Sequence, residues 1–203
     1  LLERYGMTEI GMALSNPYNS ERRAGTVGQP LPGVSIQLVD EQFQPVAEGT
    51  QGEILVKGPT VFGEYWQNPT ATAEAFVNGW FRTGDIAILE NGYYRILGRA
   101  SVDIIKTGGY KVSALEIEEV LRQHPKVQDC AVVGVPDHEW GEVVSAFVIP
   151  AESAFNDTAV LQEFLKGQLA PYKVARTILF GTELPRNALG KVLKASVKKK
   201  FEG

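Results

Sequence analysis

The chain has 203 residues, of which 44% are hydrophobic, and a formal net charge of −4, as expected for a globular protein of one large or two small domains. Because the pI is near 5.3 and no basic surface dominates, the composition argues against a nucleic-acid partner. No apolar run approaches the roughly 18 residues that a membrane-spanning helix requires.

The first half of the chain reads as short strands separated by glycine and proline turns. The dipeptide Asn91-Gly92, in which both residues tolerate positive φ, is typical of a tight hairpin turn. One short helix is predicted over 70–77, with Thr70 or Thr72 as its N-cap. Alternation of apolar residues and the hairpin signal predict four strands, over 34–40, 52–58, 86–90 and 93–98.

The second half, after Gly98, combines amphipathic helices with strongly apolar strands. Ser113 followed by Glu116 predicts a capping box at the start of the first helix, and Cys130 is predicted to pack as a small buried hydrophobe. The apolar residues predicted to share one face of that helix are Leu115, Ile117, Val120 and Leu121. Helices are predicted over 113–124, 158–169 and 191–201, and strands over 129–136, 143–150 and 176–181.

These patterns predict an α+β protein. A β-rich segment over 1–98 is followed by a compact α+β domain over 99–203, with the boundary near 98–103. Because the chain opens at LLERYG without an initiator methionine, we interpret it as part of a longer protein.

Two motifs in the first half place oxygen ligands side by side. In YGMTE (5–9), the Thr8 hydroxyl suits a phosphate oxygen and the Glu9 carboxylate suits Mg²⁺, although a turn with a helix cap is the simpler alternative. In WFRTGD (80–85), Asp85 is predicted to follow a glycine turn, where a carboxylate can accept two hydrogen bonds from a ribose diol. Thr-Gly-Asp is also common in ordinary turns.

A third motif, GRASVDIIKTGGYKV, places basic residues around a glycine pair. Gly108-Gly109 permits positive φ or close approach of another molecule to the backbone. A domain linker with a glycine turn is the alternative, but it does not account for Arg99, Lys106 and Lys111 on either side.

The fourth motif is PRNALGK, in which Lys191 is predicted to lie in the first turn of the last helix. A lysine ammonium is a compact cation on a flexible stem and can bridge two oxygens of a reacting anion. The helix dipole disfavours a cation at a helix N-terminus, so the placement favours a functional role.

The four motifs, in this order, resemble those of the adenylate-forming superfamily, which includes acyl-CoA synthetases, firefly luciferase and nonribosomal peptide adenylation domains. The resemblance implies that residues 1–98 are the C-terminal part of a large domain that binds ATP and a carboxylic acid. Residues 99–203 would be a mobile C-terminal domain that swings between two poses, with its hinge within Ser101, Val102 and Asp103. One pose serves formation of an acyl-adenylate, and the other serves transfer of the acyl group to coenzyme A.

The resemblance also implies roles for single residues in nucleotide binding. Tyr5 would stack on the adenine, Thr8 would contact phosphate and Glu9 would ligate Mg²⁺. Asp85 would hold the ribose hydroxyls, and Arg99 would support the ribose.

The basic and glycine motifs would serve the two half-reactions. Lys191 would bridge the substrate carboxylate and the α-phosphate during adenylation, and its acetylation would remove the required charge. Gly108, Gly109 and Lys111 would receive the pantetheine arm of coenzyme A in the second half-reaction.

Within the superfamily, the stretches 15–40 and 98–121 look most like malonyl-CoA synthetases, which also accept methylmalonate. A dicarboxylate needs a second cationic contact because an unpaired buried charge is costly. Arg4 is the candidate for that contact, beside Gly6 and Met7 in the acyl site, although Arg4 could equally pair with a structural acid such as Glu3.

Other functions stay open from the sequence alone. A medium- or long-chain fatty acyl-CoA synthetase is possible because Gly6 leaves room for a longer chain, and an amino-acid adenylation domain is less favoured. A non-catalytic docking or regulatory fragment is a further alternative. The phosphate loop of the superfamily lies upstream of YGMTE, so we expect this chain to be inactive by itself. We expect a cytoplasmic enzyme, with the mitochondrial matrix as an alternative.

Overall fold

A computed structural model describes residues 1–201. The chain divides into two compact units, an N-terminal unit over Leu1–Ala100 and a C-terminal unit that begins at Ser101. Both units combine helices and strands, which confirms the predicted α+β class. Within residues 1–201, no helix is long and apolar enough to cross a membrane.

The N-terminal unit contains two antiparallel sheets. The smaller sheet has the order β1-β2-β3, with β1 over Arg4–Met7, β2 over Gly11–Ser15 and β3 over Gln29–Pro30. The larger sheet has the order β4-β5-β7-β6, and β8 pairs with β7. Its strands are β4 (Ser35–Val39), β5 (Gly52–Lys57), β6 (Phe76–Val77), β7 (Trp80–Glu90) and β8 (Tyr93–Arg99).

Alternating apolar residues of these strands form the core of the N-terminal unit. Ile54, Val56 and Phe81 are buried, and the Phe62 ring packs edge-on against Phe81 with 5.4 Å between ring centroids. The predicted hairpin joins β7 and β8, where Asn91 and Gly92 have φ of 50° and 78°. All four strands predicted in this half are therefore present.

The short helix of the N-terminal unit, α1, spans Pro69–Ala75. Its N-cap is Asn68, whose side-chain oxygen accepts a hydrogen bond from the Ala71 amide at 3.1 Å. The prediction of Thr70 or Thr72 as the cap was therefore wrong. Asparagine is a strong N-cap and proline favours the first helical position, so Asn68-Pro69 starts the helix earlier than the threonines could.

The C-terminal unit packs helices on one five-stranded sheet with the order β10-β9-β12-β11, in which β13 also pairs with β12. Its strands are β9 (Ile104–Thr107), β10 (Tyr110–Ser113), β11 (Val127–Asp137), β12 (Gly141–Pro150) and β13 (Thr177–Phe180). Its α-helices are α2 (Ala114–Arg122), α3 (Thr158–Lys166) and α4 (Lys194–Lys198), with 3-10 helices over Pro171–Lys173 and Lys199–Phe201.

Helix α2 begins where the capping pattern predicts. The Ser113 hydroxyl accepts a hydrogen bond from the Glu116 amide at 3.2 Å, while the Glu116 carboxylate accepts bonds from Lys173 Nζ at 2.7 and 2.8 Å. Ile117 is fully buried, but Leu115 is 37% exposed. The prediction that Leu115 shares the core face was wrong because it lies two residues, or about 200° of helical rotation, from Ile117.

Cys130 on β11 is buried, as predicted. Burial raises the pKa of its thiol to about 12, and the thiol lies 3.5 Å from the Glu118 carbonyl oxygen as a donor. Because the thiolate is the nucleophile, a thiol held neutral in this way is a packing residue.

The last helix differs from its prediction over 191–201. Helix α4 begins only at Lys194, because the backbone of the preceding residues pairs with the chain before the turn. The Lys191 carbonyl accepts from the Asn187 amide at 2.9 Å, and Val192 forms a β-bridge with Arg186. After Lys198 the chain tightens into a 3-10 helix. Lys191 therefore precedes the helix and does not lie in its first turn.

Candidate functional site

Three side chains predicted to bind the nucleotide meet in the N-terminal unit. The Tyr5 hydroxyl on β1 donates to Asp85 Oδ2 on β7 at 2.7 Å, and Arg99 Nη1 on β8 lies 3.6 Å from Asp85 Oδ1. Burial, reinforced by the hydrogen bond to Asp85, holds the pKa of Tyr5 well above its usual value. Tyr5 therefore remains a protonated donor, and Asp85 remains an acceptor that faces a cation.

Strand pairing places Asp85 in this cluster. Asp85 pairs with Arg99 across β7 and β8, next to a β-bulge between Ile86 and Ala87. The buried Thr83 hydroxyl donates to the Ile54 carbonyl at 2.9 Å and accepts from the Asp85 amide at 3.1 Å. Asp85 thus lies within a strand, and the prediction that it follows a turn was wrong. Gly84 has a φ of 73°, and a second irregularity, in the pairing of β7 with β5 between Arg82 and Ile86, accommodates the turn-like sequence inside β7.

The predicted phosphate and magnesium residues lie in the turn that joins β1 and β2. Thr8 is exposed there, while Glu9 is half-buried and accepts a hydrogen bond from the Tyr65 hydroxyl at 3.1 Å. Partial burial and this bond raise the pKa of Tyr65. Within residues 1–201, no group of three or more His, Cys, Asp or Glu side chains could hold a metal ion. Glu9 could therefore serve a metal only with ligands from elsewhere.

The predicted acyl-site residues occupy β1 itself. Arg4 is exposed, and Met7 packs with Tyr5 against the N-terminal core. A Cβ atom on Gly6 would lie 2.2 Å from the Gly11 carbonyl oxygen. Glycine is therefore required for the close approach of β1 and β2, which explains Gly6 without a need for room in a substrate pocket.

The glycine pair in the C-terminal unit forms the turn of the β9–β10 hairpin. Gly108 and Gly109 have φ of 55° and 82°, a conformation suited to a two-residue turn. Lys106 and Lys111 are exposed and lie opposite each other in the register of this hairpin. The interpretation of this stretch as a domain linker is thus wrong for the glycine pair, which belongs to the sheet.

Trp140 covers one side of this turn. The Gly108 amide donates to the Trp140 carbonyl at 2.9 Å, and a Cβ atom on Gly108 would lie 2.8 Å from the Trp140 ring. The Arg176 guanidinium in turn lies 3.8 Å from the centroid of that ring. Only the face of Gly109 is open, since its Cβ position has no neighbour within 4 Å among the described residues.

Lys191 follows a turn over residues 187–190. Asn187 Oδ1 accepts hydrogen bonds from the Leu189 amide at 3.0 Å and the Lys191 amide at 2.9 Å. The Lys191 side chain is exposed, and its ammonium group has no hydrogen bond or ion pair with residues 1–201. Because Lys191 lies outside the helix, the helix-dipole argument for its function does not apply.

The predicted hinge residues form the turn that precedes β9. Val102 is 48% exposed, whereas Asp103 is anchored twice within the C-terminal unit. Its carbonyl accepts from the Ala114 amide at 2.8 Å, and its carboxylate lies 2.7 Å from Lys194 Nζ. Asp103 is therefore fixed to the C-terminal unit by these two contacts, and Ser101 and Val102 are the less constrained part of the turn.

Tyr65 and Trp140 are residues of interest to which sequence reasoning assigned no role. Each contacts a predicted site residue that lies far away in the chain, since Tyr65 bonds to Glu9 and Trp140 bonds to Gly108. Tyr65 lies in the stretch GEILVKGPTVFGEYW (52–66), which resembles the superfamily, but no role was assigned to it or to Trp140 from the sequence, and the fold reveals these contacts.

Comparison with known proteins places the chain in a family. Residues 1–66 match the family described as AMP-binding enzyme, and residues 116–191 match the AMP-binding enzyme C-terminal domain. The chain belongs to this adenylate-forming superfamily, which confirms the resemblance inferred from its motifs.

Malonate–CoA ligases stand among its similar relatives. A mitochondrial malonate–CoA ligase of Mus musculus is 50% identical over 99% of this chain and 38% of its own length. The crystal structure of ATP-bound MatB from Rhodopseudomonas palustris is 43% identical, with a TM-score of 0.90 over 100% of this chain and 41% of that chain. A long-chain-fatty-acid–CoA ligase of Escherichia coli is 41% identical over 100% of this chain and 36% of its own length. The chain thus spans well under half of the relatives that it matches.

The geometry of Gly6 gives a test of the β1–β2 hairpin. We expect Gly6→Ala to destabilise the chain by about 1–3 kcal/mol, because the new methyl group overlaps backbone that has no room to move. Gly63→Ala is the matched control, since a Cβ atom there has no neighbour within 4 Å. Urea denaturation followed by far-UV circular dichroism measures both variants, and equal transition midpoints for the two would contradict the assignment.

Proposed function

We propose that this chain is the C-terminal part of an AMP-forming acyl-CoA synthetase that acts on malonate or methylmalonate. The observation that carries the proposal is that Tyr5 and Arg99 both contact the carboxylate of Asp85. The relatives of this chain include malonate–CoA ligases. Because the chain spans 38% of the mouse relative, we assign the activity to the full-length protein that contains it.

Asp85 supports binding of the ATP ribose. Its carboxylate side chain is only 14% exposed, and an ionised acceptor makes stronger hydrogen bonds than a neutral one. The Arg99 guanidinium lies 3.6 Å from this carboxylate and places a positive charge beside it. Tyr5 bonds to Asp85 through its hydroxyl, so its ring is held at the same site, where we propose that it stacks on the adenine.

Thr8 and Glu9 support a site for the phosphates and Mg²⁺. Mg²⁺ is usually held by one or two carboxylates, with water and substrate phosphates as its other ligands. A single half-buried carboxylate beside an exposed hydroxyl fits that pattern. Bound there, Mg²⁺ would neutralise phosphate charge.

Lys191 supports the first half-reaction, in which a carboxylate oxygen attacks the α-phosphorus of ATP, the bond to the β-phosphate oxygen breaks and pyrophosphate leaves. Negative charge accumulates between the carboxylate and the α-phosphate in the transition state. The Lys191 ammonium, which is unpaired within residues 1–201, would bridge these oxygens. A contact that strengthens in the transition state accelerates the step.

The glycine turn supports the second half-reaction, in which the coenzyme A sulfur attacks the acyl carbon, the bond to AMP breaks and the thiol proton is released. A thin pantetheine arm would pass the open face of Gly109, with Lys111 nearby as a cation. The exposed position of Lys191 also suits regulatory acetylation, which would remove the charge needed in the first half-reaction.

Arg4 supports malonate as the acid. Its exposed guanidinium would pair with the distal carboxylate, which otherwise enters the acyl site uncompensated. A second candidate, a long-chain fatty acyl-CoA synthetase, is favoured by the Escherichia coli relative at 41% identity. The two candidates differ in whether a charge or an alkyl chain occupies the end of the acyl site.

The experiment that separates them is pyrophosphate exchange by the full-length protein with malonate, methylmalonate, acetate and octanoate. We expect exchange with malonate and methylmalonate to exceed exchange with octanoate at least about 10-fold, which corresponds to about 1.4 kcal/mol of transition-state binding. Preference for octanoate would replace malonate by the fatty-acid candidate, and no exchange with any acid would contradict the proposed activity.

The role of Arg4 is tested in the same protein by Arg4→Ala. We expect malonate-dependent exchange to fall at least about 100-fold while the affinity for ATP, measured by calorimetry, stays within about 2-fold, because a buried unpaired carboxylate costs several kcal/mol. Arg95→Ala is the control, since Arg95 forms an exposed ion pair with Glu90. Unchanged malonate use in Arg4→Ala would assign Arg4 to the surface instead.

A further inference from the structure

A row of alternating charges in the C-terminal unit joins the turn before β9 to the loop that carries Lys191. Each charge lies next to one of opposite sign, and the row ends on a backbone carbonyl of the loop. Its members, in order, are Asp103, Lys194, Glu118, Arg122, Asp129 and Arg186. We call this row the charge relay.

The first part of the charge relay is buried. Lys194 Nζ lies 2.7 Å from Asp103 Oδ1 and 2.9 Å from Glu118 Oε1, and the Lys194 side chain is 10% exposed. Glu118 Oε1 also accepts a hydrogen bond from the Val132 amide at 2.8 Å. Since Val132 belongs to the central strand β11, this end of the relay is fixed to the sheet.

The middle of the charge relay runs along helix α2 to β11. Arg122 Nη2 lies 3.1 Å from Glu118 Oε2, one helical turn away, and Arg122 Nε lies 3.8 Å from Asp129 Oδ1. Asp129 Oδ1 also accepts from the Cys130 amide at 2.8 Å. Asp129 is therefore held in place from two sides and presents its second oxygen, Oδ2, to the loop.

Arg186 connects this fixed carboxylate to the loop. Its Nη2 atom donates to Asp129 Oδ2, and its Nη1 atom donates to the Gly190 carbonyl oxygen at 2.6 Å. That carbonyl belongs to the peptide bond that precedes Lys191. The guanidinium thus binds the backbone next to Lys191 and makes no contact with the Lys191 side chain.

We propose that Arg186 is a positioning residue for Lys191, anchored by Asp129 and acting through the Gly190 carbonyl. This rests on the function proposed above for Lys191. A lysine ammonium on a flexible stem reaches a reacting oxygen reproducibly only if its backbone is fixed. The planar fork of arginine can bind a carboxylate and a carbonyl at once, whereas a lysine at position 186 could bind only one of them well. Residues 187–191 are exposed, and the core contacts of Leu184 and Val192 lie outside this segment.

The test compares the two half-reactions of the full-length protein carrying Arg186→Ala. We expect malonate-dependent pyrophosphate exchange to fall about 10- to 100-fold, as for a displaced catalytic group. Thioester formation from supplied malonyl-adenylate and coenzyme A should stay within about 2-fold, since Lys191 serves adenylation only. Arg186→Lys should give an intermediate loss. Lys126→Ala is the control, because it removes an exposed ion pair with Glu152 and should change neither half-reaction.

Asp129→Asn is the second variant, since asparagine keeps the acceptor for the Cys130 amide but weakens the hold on Arg186. Amide hydrogen exchange of the peptide 187–191 should be faster in both Arg186→Ala and Asp129→Asn than in the unmodified protein. Unchanged hydrogen exchange, wild-type adenylation in Arg186→Ala, or equal loss of both half-reactions would overturn the proposal. If the unmodified protein activates no carboxylate, the proposed function fails, and hydrogen exchange of the loop still tests the anchoring.

Discussion

Burial of the Glu118 carboxylate is the constraint on which the C-terminal unit depends. Glu118 is only 4% exposed, and an ionised group at that depth must be paired. Lys194, Arg122 and the Val132 amide supply the partners, so one carboxylate ties α4, α2 and β11 together. Removing one partner of a buried ion pair typically costs about 3–5 kcal/mol. The geometry of the unit is therefore fixed by charge as well as by its apolar core.

The contacts of Glu118 extend to two features of the C-terminal unit, the turn before β9 and the loop before Lys191. Lys194 also holds Asp103, at the end of the turn proposed as the hinge. In the other direction, Arg122 contacts Asp129, and Asp129 contacts Arg186, which holds the loop before Lys191. The proposed hinge and the proposed catalytic lysine are thus both connected to the same buried carboxylate.

The N-terminal unit also holds a carboxylate in place, that of Asp85, with fewer charged partners. Asp85 is held by backbone pairing with Arg99, by the Thr83 hydroxyl and by Tyr5, so the carboxylate that we propose as the acceptor for the ribose is fixed within the unit itself. Fixed acceptors of this kind require no reorganisation when the substrate binds. Glu9, by contrast, lies in a turn and has Tyr65 as its partner, as suits a residue whose proposed metal arrives with the nucleotide.

Local patterns predicted much of the fold. Period-two alternation located β4 and β5, and the Ser113 cap located the start of α2. Each of these signals is contained within a few neighbouring residues of the sequence. The same local reasoning failed where the signal was ambiguous. The bulge in β7 looked like a turn before Asp85, and Asn68-Pro69 outcompeted the threonines as the start of α1.

The site was predictable where it resembled known motifs and hidden where it depends on distant contacts. Tyr5 and Asp85 stood in recognisable motifs, and the fold brings them together. Lys194 and Glu118 are separated by most of the C-terminal unit in sequence, and neither stands out locally, so their pairing emerges only when β11 brings α2 and α4 together. Arg186 was visible in PRNALGK but could not be assigned, because its partner Asp129 lies on another strand.

The central claim is that Lys191 belongs to the chemistry of adenylation. This role is tested by single-turnover kinetics of both half-reactions in the full-length protein carrying Lys191→Gln, whose side chain is polar, uncharged and one atom shorter. We expect formation of malonyl-adenylate to slow at least about 100-fold, while thioester formation from supplied malonyl-adenylate stays within about 2-fold of the unmodified protein. Adenylation at the unmodified rate in Lys191→Gln would contradict the claim.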